Sequence, residues 1–170
     1  MNKVYKKLAV AFTGPSNSGK TTLIVKLSNE LKKSGFKVAI IKHDPDDKAQ
    51  FDTKGKDSAK FTETLADVAI LSSKRTTVFK NTTSSIDEVA SIFDEFDYLF
   101  VEGLKSLPLP RIYVSRDKLN QSYLDVSNSI AISSNVDIKS IDNNIDILDL
   151  NNLNEIIKWI NQNAKKYKDN

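Results

Sequence analysis

Short apolar runs alternate along the chain with stretches that place an apolar residue at every third or fourth position. The run at 8–12 ends in Thr13-Gly14, and a run this short before a glycine is typical of a buried strand. Residues 20–34 then carry one apolar stripe at helical spacing, formed by Leu23, Ile24, Leu27 and Leu31. Gly35 is suited to end this helix, and residues 36–41 form a second apolar run. Strand, helix and strand in this order predict a βαβ unit and therefore a parallel sheet.

The rest of the chain continues this alternation after a polar interruption. Residues 42–56 are charged and turn-rich, so they predict a long loop. Beyond the loop, the pattern predicts a short helix at 57–65, a helix opened by a capping box at 85–96, a last helix opened by Asn152, and strands at 68–71, 76–79, 98–101, 111–114 and 130–132. The tail at 165–170 is predicted to fray, and Asp97 to be an exposed turn residue. We therefore predict an α/β protein, a mostly parallel sheet with flanking helices, in one domain spanning residues 1–170.

Composition narrows the classes of function open to this chain. Among its 170 residues there are no cysteines and one histidine, which excludes a disulfide scaffold, a cysteine-ligated metal, thiol catalysis and a multi-histidine metal site. The formal net charge is only +3, so no nucleic-acid partner is expected. No apolar run approaches the ~20 residues that span a bilayer, and no signal peptide is visible. We expect a cytoplasmic protein that does not contact a membrane.

The segment after the first strand carries the strongest chemical signal. It matches the pattern G-x-x-x-x-G-K-[ST] of a phosphate-binding loop (P-loop) in full, with the residues Gly14, Pro15, Ser16, Asn17, Ser18, Gly19, Lys20 and Thr21. Successive backbone N–H groups of such a loop form an anion-binding nest at the positive end of the following helix. The lysine neutralises the β- and γ-phosphates, and the threonine hydroxyl binds Mg²⁺. Because the motif lies between a predicted strand and a predicted helix, it predicts a nucleotide site on a P-loop NTPase fold.

An acidic residue at the end of a buried strand commonly completes the Mg²⁺ site of a P-loop protein. Glu102, directly after the strand at 98–101, fits this position and is assigned to the metal together with Thr21. Asp44 competes for the same role, because it follows the second strand and could reach the metal from the loop. Both assignments stay open at this point.

Other polar residues are weaker candidates. His43 follows the second strand and should lie at the carboxyl edge of the sheet, where ligands bind in open α/β folds, although a lone histidine is more often a structural hydrogen-bonding residue. Lys54, Lys56 and Lys105 are candidate phosphate contacts, but in a lysine-rich chain solvated lysines are the default. The three arginines (Arg75, Arg111 and Arg116) lie on or beside predicted strands, where structural ion pairs are expected.

The combination of motifs resembles the molybdopterin-guanine dinucleotide biosynthesis adapter proteins, the MobB family. The resemblance covers roughly residues 8–133 and rests on four segments: the P-loop through Thr22, Ile41-Lys42-His43-Asp44, Gly55-Lys56-Asp57-Ser58 and Val101-Glu102-Gly103-Leu104-Lys105. The P-loop is shared by a vast superfamily, so the other three segments give the resemblance its specificity. No N-K-x-D motif for reading guanine occurs, and the preference for GTP therefore comes from the resemblance alone.

The resemblance implies a GTP-binding protein that assists attachment of a GMP moiety to molybdopterin. The implied ligands are GTP, Mg²⁺ and molybdopterin or its guanine dinucleotide, and the implied partner is the molybdenum cofactor guanylyltransferase. A homodimer is implied as well. Residues 14–22 would hold the phosphates, Gly103 and Lys105 would also bind the cofactor, and Glu102 would bind Mg²⁺. The loop facing the pterin would be framed by His43, Asp44, Gly55, Lys56, Asp57 and Ser58.

Three alternatives differ from this hypothesis in chemistry. A small P-loop kinase acting on a metabolite or nucleoside would clamp the transferred phosphoryl group with arginines from a lid, and three scattered arginines make this less favoured. A nickel-inserting GTPase needs thiolate or imidazole ligands, and one histidine with no cysteine argues against this role. A non-catalytic adapter would use nucleotide only as a conformational ligand. Because no water-orienting glutamine lies beside a switch-like motif, GTP hydrolysis is predicted to be weak at most.

Overall fold

One parallel sheet is built around a central strand whose residues are almost all buried. The computed structural model describes residues 4–93, 95–133, 136–139 and 141–167. The strands are β1 (Leu8–Thr13), β2 (Val38–Lys42), β3 (Val68–Leu71), β4 (Thr76–Phe79), β5 (Tyr98–Glu102), β6 (Arg111–Ser115), β7 (Ser129–Ile132), β8 (Asp146–Asp149) and β9 (Lys165–Lys166). The helices are α1 (Lys20–Lys33), α2 (Asp57–Thr62), α3 (Ile86–Phe93), α4 (Gln121–Leu124) and α5 (Leu153–Asn163).

The main sheet has the strand order β2-β5-β1-β6-β7-β8, and every neighbouring pair on this path is parallel. Its central strands β1 and β5 are apolar up to their last residues, Thr13 and Glu102, as expected when both faces of a parallel sheet are covered. The sequence prediction of a mostly parallel sheet with flanking helices is confirmed. The register places the carboxyl ends of β2, β5 and β1 side by side, because Lys42 pairs with Glu102 and Glu102 pairs with Phe12.

Two helices cover one face of this sheet. The apolar stripe of α1 and the buried face of α5, which includes Trp159, form one core cluster with Phe12 and Phe100 of the sheet. The rings of Phe12 and Phe100 meet edge to face with centroids 5.3 Å apart. Gly35 ends α1 as predicted, with φ +80° and its N–H donating to the carbonyl of Lys32. A smaller cluster on Tyr113 and Leu124 lies apart from this core.

The chain divides into two compact units, residues 1–43 with 90–170 and residues 44–89. In the second unit, β3 and β4 form an antiparallel hairpin at the predicted positions. The capping box before α3 is also confirmed: Ser85 N–H donates to Glu88 Oε2 at 2.7 Å, and Glu88 N–H donates to Ser85 Oγ at 3.2 Å. The organisation in a single domain stays a prediction. Within the described ranges, no helix is long and apolar enough to cross a membrane.

Two sequence predictions are wrong, one for Asp97 and one for the tail after α5. Asp97 is only 2% exposed, because its carboxylate accepts the backbone N–H groups of Lys6 at 3.2 Å and Lys37 at 2.8 Å and so ties two chain segments to the start of β5. The tail does not fray at once after α5: β9 pairs antiparallel with the start of β1, and Tyr167 N–H donates to the carbonyl of Lys7 at 2.6 Å. The part of the predicted frayed tail at 168–170 lies outside the described residues.

The sequence analysis also missed two elements and misjudged two helix ends. The short helix α4 and the edge strand β8 lie in polar segments with little apolar periodicity. α2 ends at Thr62, three residues earlier than predicted, and α3 (Ile86–Phe93) also ends before the predicted residue 96.

Candidate functional site

The P-loop turns sharply away from β1 before α1 begins. Gly14 has φ +143°, and a Cβ built there would lie 2.5 Å from the carbonyl oxygen of Val114 in the neighbouring strand. Gly19, with φ +97°, stands at the N-cap of α1 in the left-handed region. Glycine at these two positions therefore follows from backbone conformation and, at Gly14, from close approach to β6.

Unpartnered polar groups meet on this loop. The N-terminus of α1 carries no side-chain cap, and the first N–H groups of a helix have no acceptor within it. The Ser18 hydroxyl is buried and has no hydrogen-bond partner within the described residues. Ser16 and Asn17 are exposed at the tip of the loop, and Thr22 is exposed on the first turn of α1. Such an arrangement of free donors fits an oxyanion such as a phosphate.

Lys20 supplies a cation to the same loop. Its Nζ donates to the carbonyl oxygens of Gly14 at 3.0 Å and Pro15 at 2.7 Å. Burial lowers the pKa of the Lys20 ammonium; the nearby carboxylate of Glu102 opposes this effect, and the positive charge of Lys42 adds to it. Two ammonium groups this close repel each other, and a bound polyanion would relieve that repulsion.

Thr21 and Glu102 come together beside Lys20. The Thr21 hydroxyl donates to the Glu102 carboxylate, with Oγ1 3.1 Å from Oε1 and 3.0 Å from Oε2. A hydroxyl and a carboxylate are oxygen ligands of the kind that Mg²⁺ prefers, and Mg²⁺ normally takes its remaining ligands from water and substrate phosphates. The described residues hold no group of three or more His, Asp and Glu side chains that could bind a metal by themselves. The pair therefore fits a cation that arrives with a nucleotide.

The other candidates of the first unit lie on the loops that follow β2 and β5. His43 is exposed and continues the pairing of β2 with β5, because its N–H donates to the Glu102 carbonyl at 3.0 Å. Gly103 packs on it: a Cβ built at Gly103 would lie 3.2 Å from the Cβ of His43. The Lys105 ammonium lies 3.7 Å from the centroid of the Tyr123 ring, in a cation–π contact.

The remaining candidates belong to the second unit. Asp44 Oδ2 accepts the N–H of Ala49 at 2.7 Å, which closes a turn within the polar segment. Gly55 has φ +88°, and Lys56 is the N-cap of α2. The first two residues of that helix are Asp57, whose Oδ1 accepts from Lys60 Nζ at 3.0 Å, and Ser58, whose Oγ donates to Asp52 Oδ1 at 3.1 Å. The segment between β2 and α2 contains no helix or strand, as the sequence predicted.

The expectation of structural ion pairs is wrong: within the described residues none of the three arginines forms an ion pair. Arg111 is 1% exposed and structural, but its guanidinium donates to backbone carbonyls: Gly103 at 3.2 Å, Leu104 at 3.0 Å, Lys105 at 3.1 Å and Leu107 at 3.1 Å. Arg116 is exposed and lies against the P-loop, where a Cβ built on Gly19 would be 2.8 Å from its Nε.

Sequence reasoning therefore missed two cations at the site, Arg116 and Lys42. The signal was available, because each stands at the carboxyl end of a predicted strand, as Glu102 and His43 do. The missing information was strand order, since only the observed sheet shows that β6 adjoins β1 and that Lys42 pairs with Glu102.

The sequence of this chain is similar to proteins of one described family. The family model described as molybdopterin guanine dinucleotide synthesis protein B matches residues 9–135. The chain is similar to the molybdopterin-guanine dinucleotide biosynthesis adapter protein of Haemophilus influenzae, with 33% identity over 132 residues, 74% of this chain and 74% of the relative. A putative adapter protein of the same description from Methanocaldococcus jannaschii is 31% identical over 122 residues, 68% of this chain but only 50% of the relative, so the chain spans about half of that protein's length.

The fold is shared with solved structures as well. The crystal structure of Bacillus subtilis MobB superposes with a TM-score of 0.75 and covers 92% of this chain and 98% of that one, at 19% sequence identity. At this identity, the likeness shows the fold alone.

Proposed function

The chain belongs to the molybdopterin guanine dinucleotide synthesis protein B family, and we propose that it is a GTP-binding adapter in the biosynthesis of that cofactor. The observation that carries the proposal is the P-loop together with the Thr21–Glu102 pair. This arrangement offers free N–H donors, a lysine and two oxygen ligands within one short stretch of the sheet edge. A nucleoside triphosphate with its Mg²⁺ is the ligand whose charges match all of them.

In this proposal residues 14–22 hold the GTP phosphates, and Thr21 and Glu102 bind Mg²⁺. When bound, the cation would neutralise the β- and γ-phosphate oxygens. His43, Asp44 and residues 55–58 are each candidate contacts for a molybdopterin ligand. The partner is the guanylyltransferase that forms the dinucleotide, and the adapter acts as a homodimer in the cytoplasm. GTP hydrolysis by the adapter alone is weak.

A nucleotide titration tests the first half of the proposal. GTP and ATP are titrated into the protein with Mg²⁺, and again with chelator. We expect GTP to bind about tenfold or more tightly than ATP, a difference of about 1.4 kcal/mol, and to bind about tenfold or more tightly with Mg²⁺ than with chelator. Lys20→Ala should lose this binding, whereas Lys26→Ala, an exposed lysine of the same helix, should keep it.

The second half concerns the partner. Adding the adapter to a molybdenum cofactor guanylyltransferase with GTP and molybdopterin should raise the yield of dinucleotide, and Lys20→Ala should not. A P-loop kinase is less supported, since the matching family model and the relatives named above are described as synthesis or adapter proteins. ATP-dependent phosphorylation of a nucleoside, with no effect on dinucleotide formation, would contradict the adapter function.

A further inference from the structure

Arg116 occupies the opposite side of the P-loop from the Thr21–Glu102 pair. β1 is flanked by β5, which ends at Glu102, and by β6, which ends one residue before Arg116. A Cβ built on Gly19 would lie 2.8 Å from Nε and 2.9 Å from Nη2 of this arginine. The guanidinium therefore packs directly on the backbone of the residue that caps α1.

The backbone behind this side chain is held in place. The carbonyl of Arg116 accepts the Ser133 hydroxyl at 2.9 Å, and the Ser115 hydroxyl reaches the carbonyl of Lys118 at 3.3 Å. These contacts hold the backbone of Arg116 between the ends of β6 and β7, and its side chain reaches Gly19 from there.

The donors of this guanidinium are unused. In the described part of the chain, the Arg116 side chain has no hydrogen bond and no ion pair, whereas that of Arg111, five residues earlier, makes four hydrogen bonds to carbonyls. A planar guanidinium with free N–H groups matches the geometry of phosphate oxygens. Arg116 presents such a group at the edge of an anion-binding nest.

We propose that Arg116 is a further nucleotide-binding residue, which contacts the phosphate chain on the side away from the metal. The inference rests on the proposed function, because it requires a nucleotide in the P-loop. A Mg²⁺ that arrives with the nucleotide would be held by Thr21 and Glu102, on the β5 side of β1. Arg116, on the other side of β1, then donates to the α- or β-phosphate. Its contribution is therefore the same for a nucleoside triphosphate and a diphosphate.

The test measures the affinities of GTP and GDP, each with Mg²⁺, for the full chain and three variants. Arg116→Ala should weaken GTP and GDP binding by the same factor, about 10- to 100-fold, as expected for the loss of a charge-assisted hydrogen bond. Arg116→Lys should restore part of the loss. Lys118→Ala removes the same charge two residues away and should change neither affinity.

Three outcomes would overturn the inference. A loss confined to GTP would place the guanidinium at the γ-phosphate. Equal losses in Arg116→Ala and Lys118→Ala would show an effect of net charge only. Unchanged affinities in Arg116→Ala would show that the residue makes no contact. Failure of the unaltered chain to bind either nucleotide would instead refute the proposed function. Melting of the nucleotide-free variant should match that of the unaltered chain, since the side chain is exposed.

Discussion

The hydroxyl of Thr21, in the first turn of α1, donates to both oxygens of the Glu102 carboxylate at the end of β5, at 3.1 and 3.0 Å. Eighty-one positions separate the two residues in the chain. Parallel pairing of β1 with β5 brings them together, because Glu102 stands beside Phe12, two residues before the P-loop begins. The two residues predicted to bind the metal are thus in contact with each other.

Removing the hydroxyl of Thr21 should make nucleotide binding insensitive to Mg²⁺. In Thr21→Val the side-chain shape is kept but one metal ligand is lost, so the affinity for GTP with Mg²⁺ should fall about tenfold or more. The affinity measured with chelator should stay as it is. Thr21→Ser keeps the hydroxyl and serves as the control. A valine variant whose affinity still depends on Mg²⁺ would contradict the assignment.

The two glycines with different surroundings give a matched test of the P-loop turn. Gly14 and Gly35 both have positive φ, but only at Gly14 would a Cβ approach a backbone atom, the carbonyl oxygen of Val114 at 2.5 Å. At Gly35 nothing lies within 4 Å. Gly35→Ala should therefore lower the free energy of unfolding by about 1 kcal/mol, through conformational strain only. Gly14→Ala should lower it by about 3 kcal/mol, because the strain is joined by steric overlap with the Val114 carbonyl. Denaturant unfolding measures both, and equal losses would contradict the packing described here.

How much of the fold and the site the sequence predicts depends on how far apart in the chain the interacting residues lie. The P-loop is local: glycine, lysine and threonine at fixed spacing between a strand and a helix suffice to predict it. Glu102 was found because a strand end is visible in the apolar pattern. Arg116 was missed because its proximity to Gly19 comes from the order of β1 and β6, and no local pattern encodes strand order. Asp97 was misjudged for the same reason, since its partners, the N–H groups of Lys6 and Lys37, are distant in the chain.

The capping box before α3 should make the second unit sensitive to acid. The pKa of the Glu88 carboxyl is lowered first by the backbone N–H of Ser85, then by the Ser85 hydroxyl, and then by the charge of Lys80. A carboxyl whose folded pKa is depressed stabilises the fold above its unfolded pKa, and this stabilisation is lost as the pH falls through the folded pKa. An NMR titration should place the Glu88 midpoint below that of an ordinary glutamate. Ser85→Ala should raise it, and Ser85→Thr should leave it low.

Replacing Arg111 should destabilise the fold and disturb the metal site together. Its guanidinium is buried, burial lowers its pKa, and it donates to four carbonyls of the loop that directly follows Glu102. Arg111→Met leaves these acceptors without donors, and each buried unsatisfied group costs about 1–3 kcal/mol, so a total of roughly 3 kcal/mol or more is expected. Arg111→Lys keeps the charge but not the planar guanidinium, so its free energy of unfolding should lie between those of the unaltered chain and the methionine variant.

The Arg111 experiment has an internal control and a second readout. Arg75 is exposed in the second unit, and Arg75→Ala should change the free energy of unfolding by no more than about 0.5 kcal/mol. Arg111 donates to the carbonyl of Gly103, the residue that directly follows Glu102 in the chain. The folded Arg111→Lys variant should therefore also bind GTP less tightly with Mg²⁺ than the unaltered chain does. A methionine variant as stable as Arg75→Ala would show that water replaces the guanidinium at no cost. A lysine variant with lower stability but unchanged Mg²⁺-dependent affinity would show that the loop does not position Glu102.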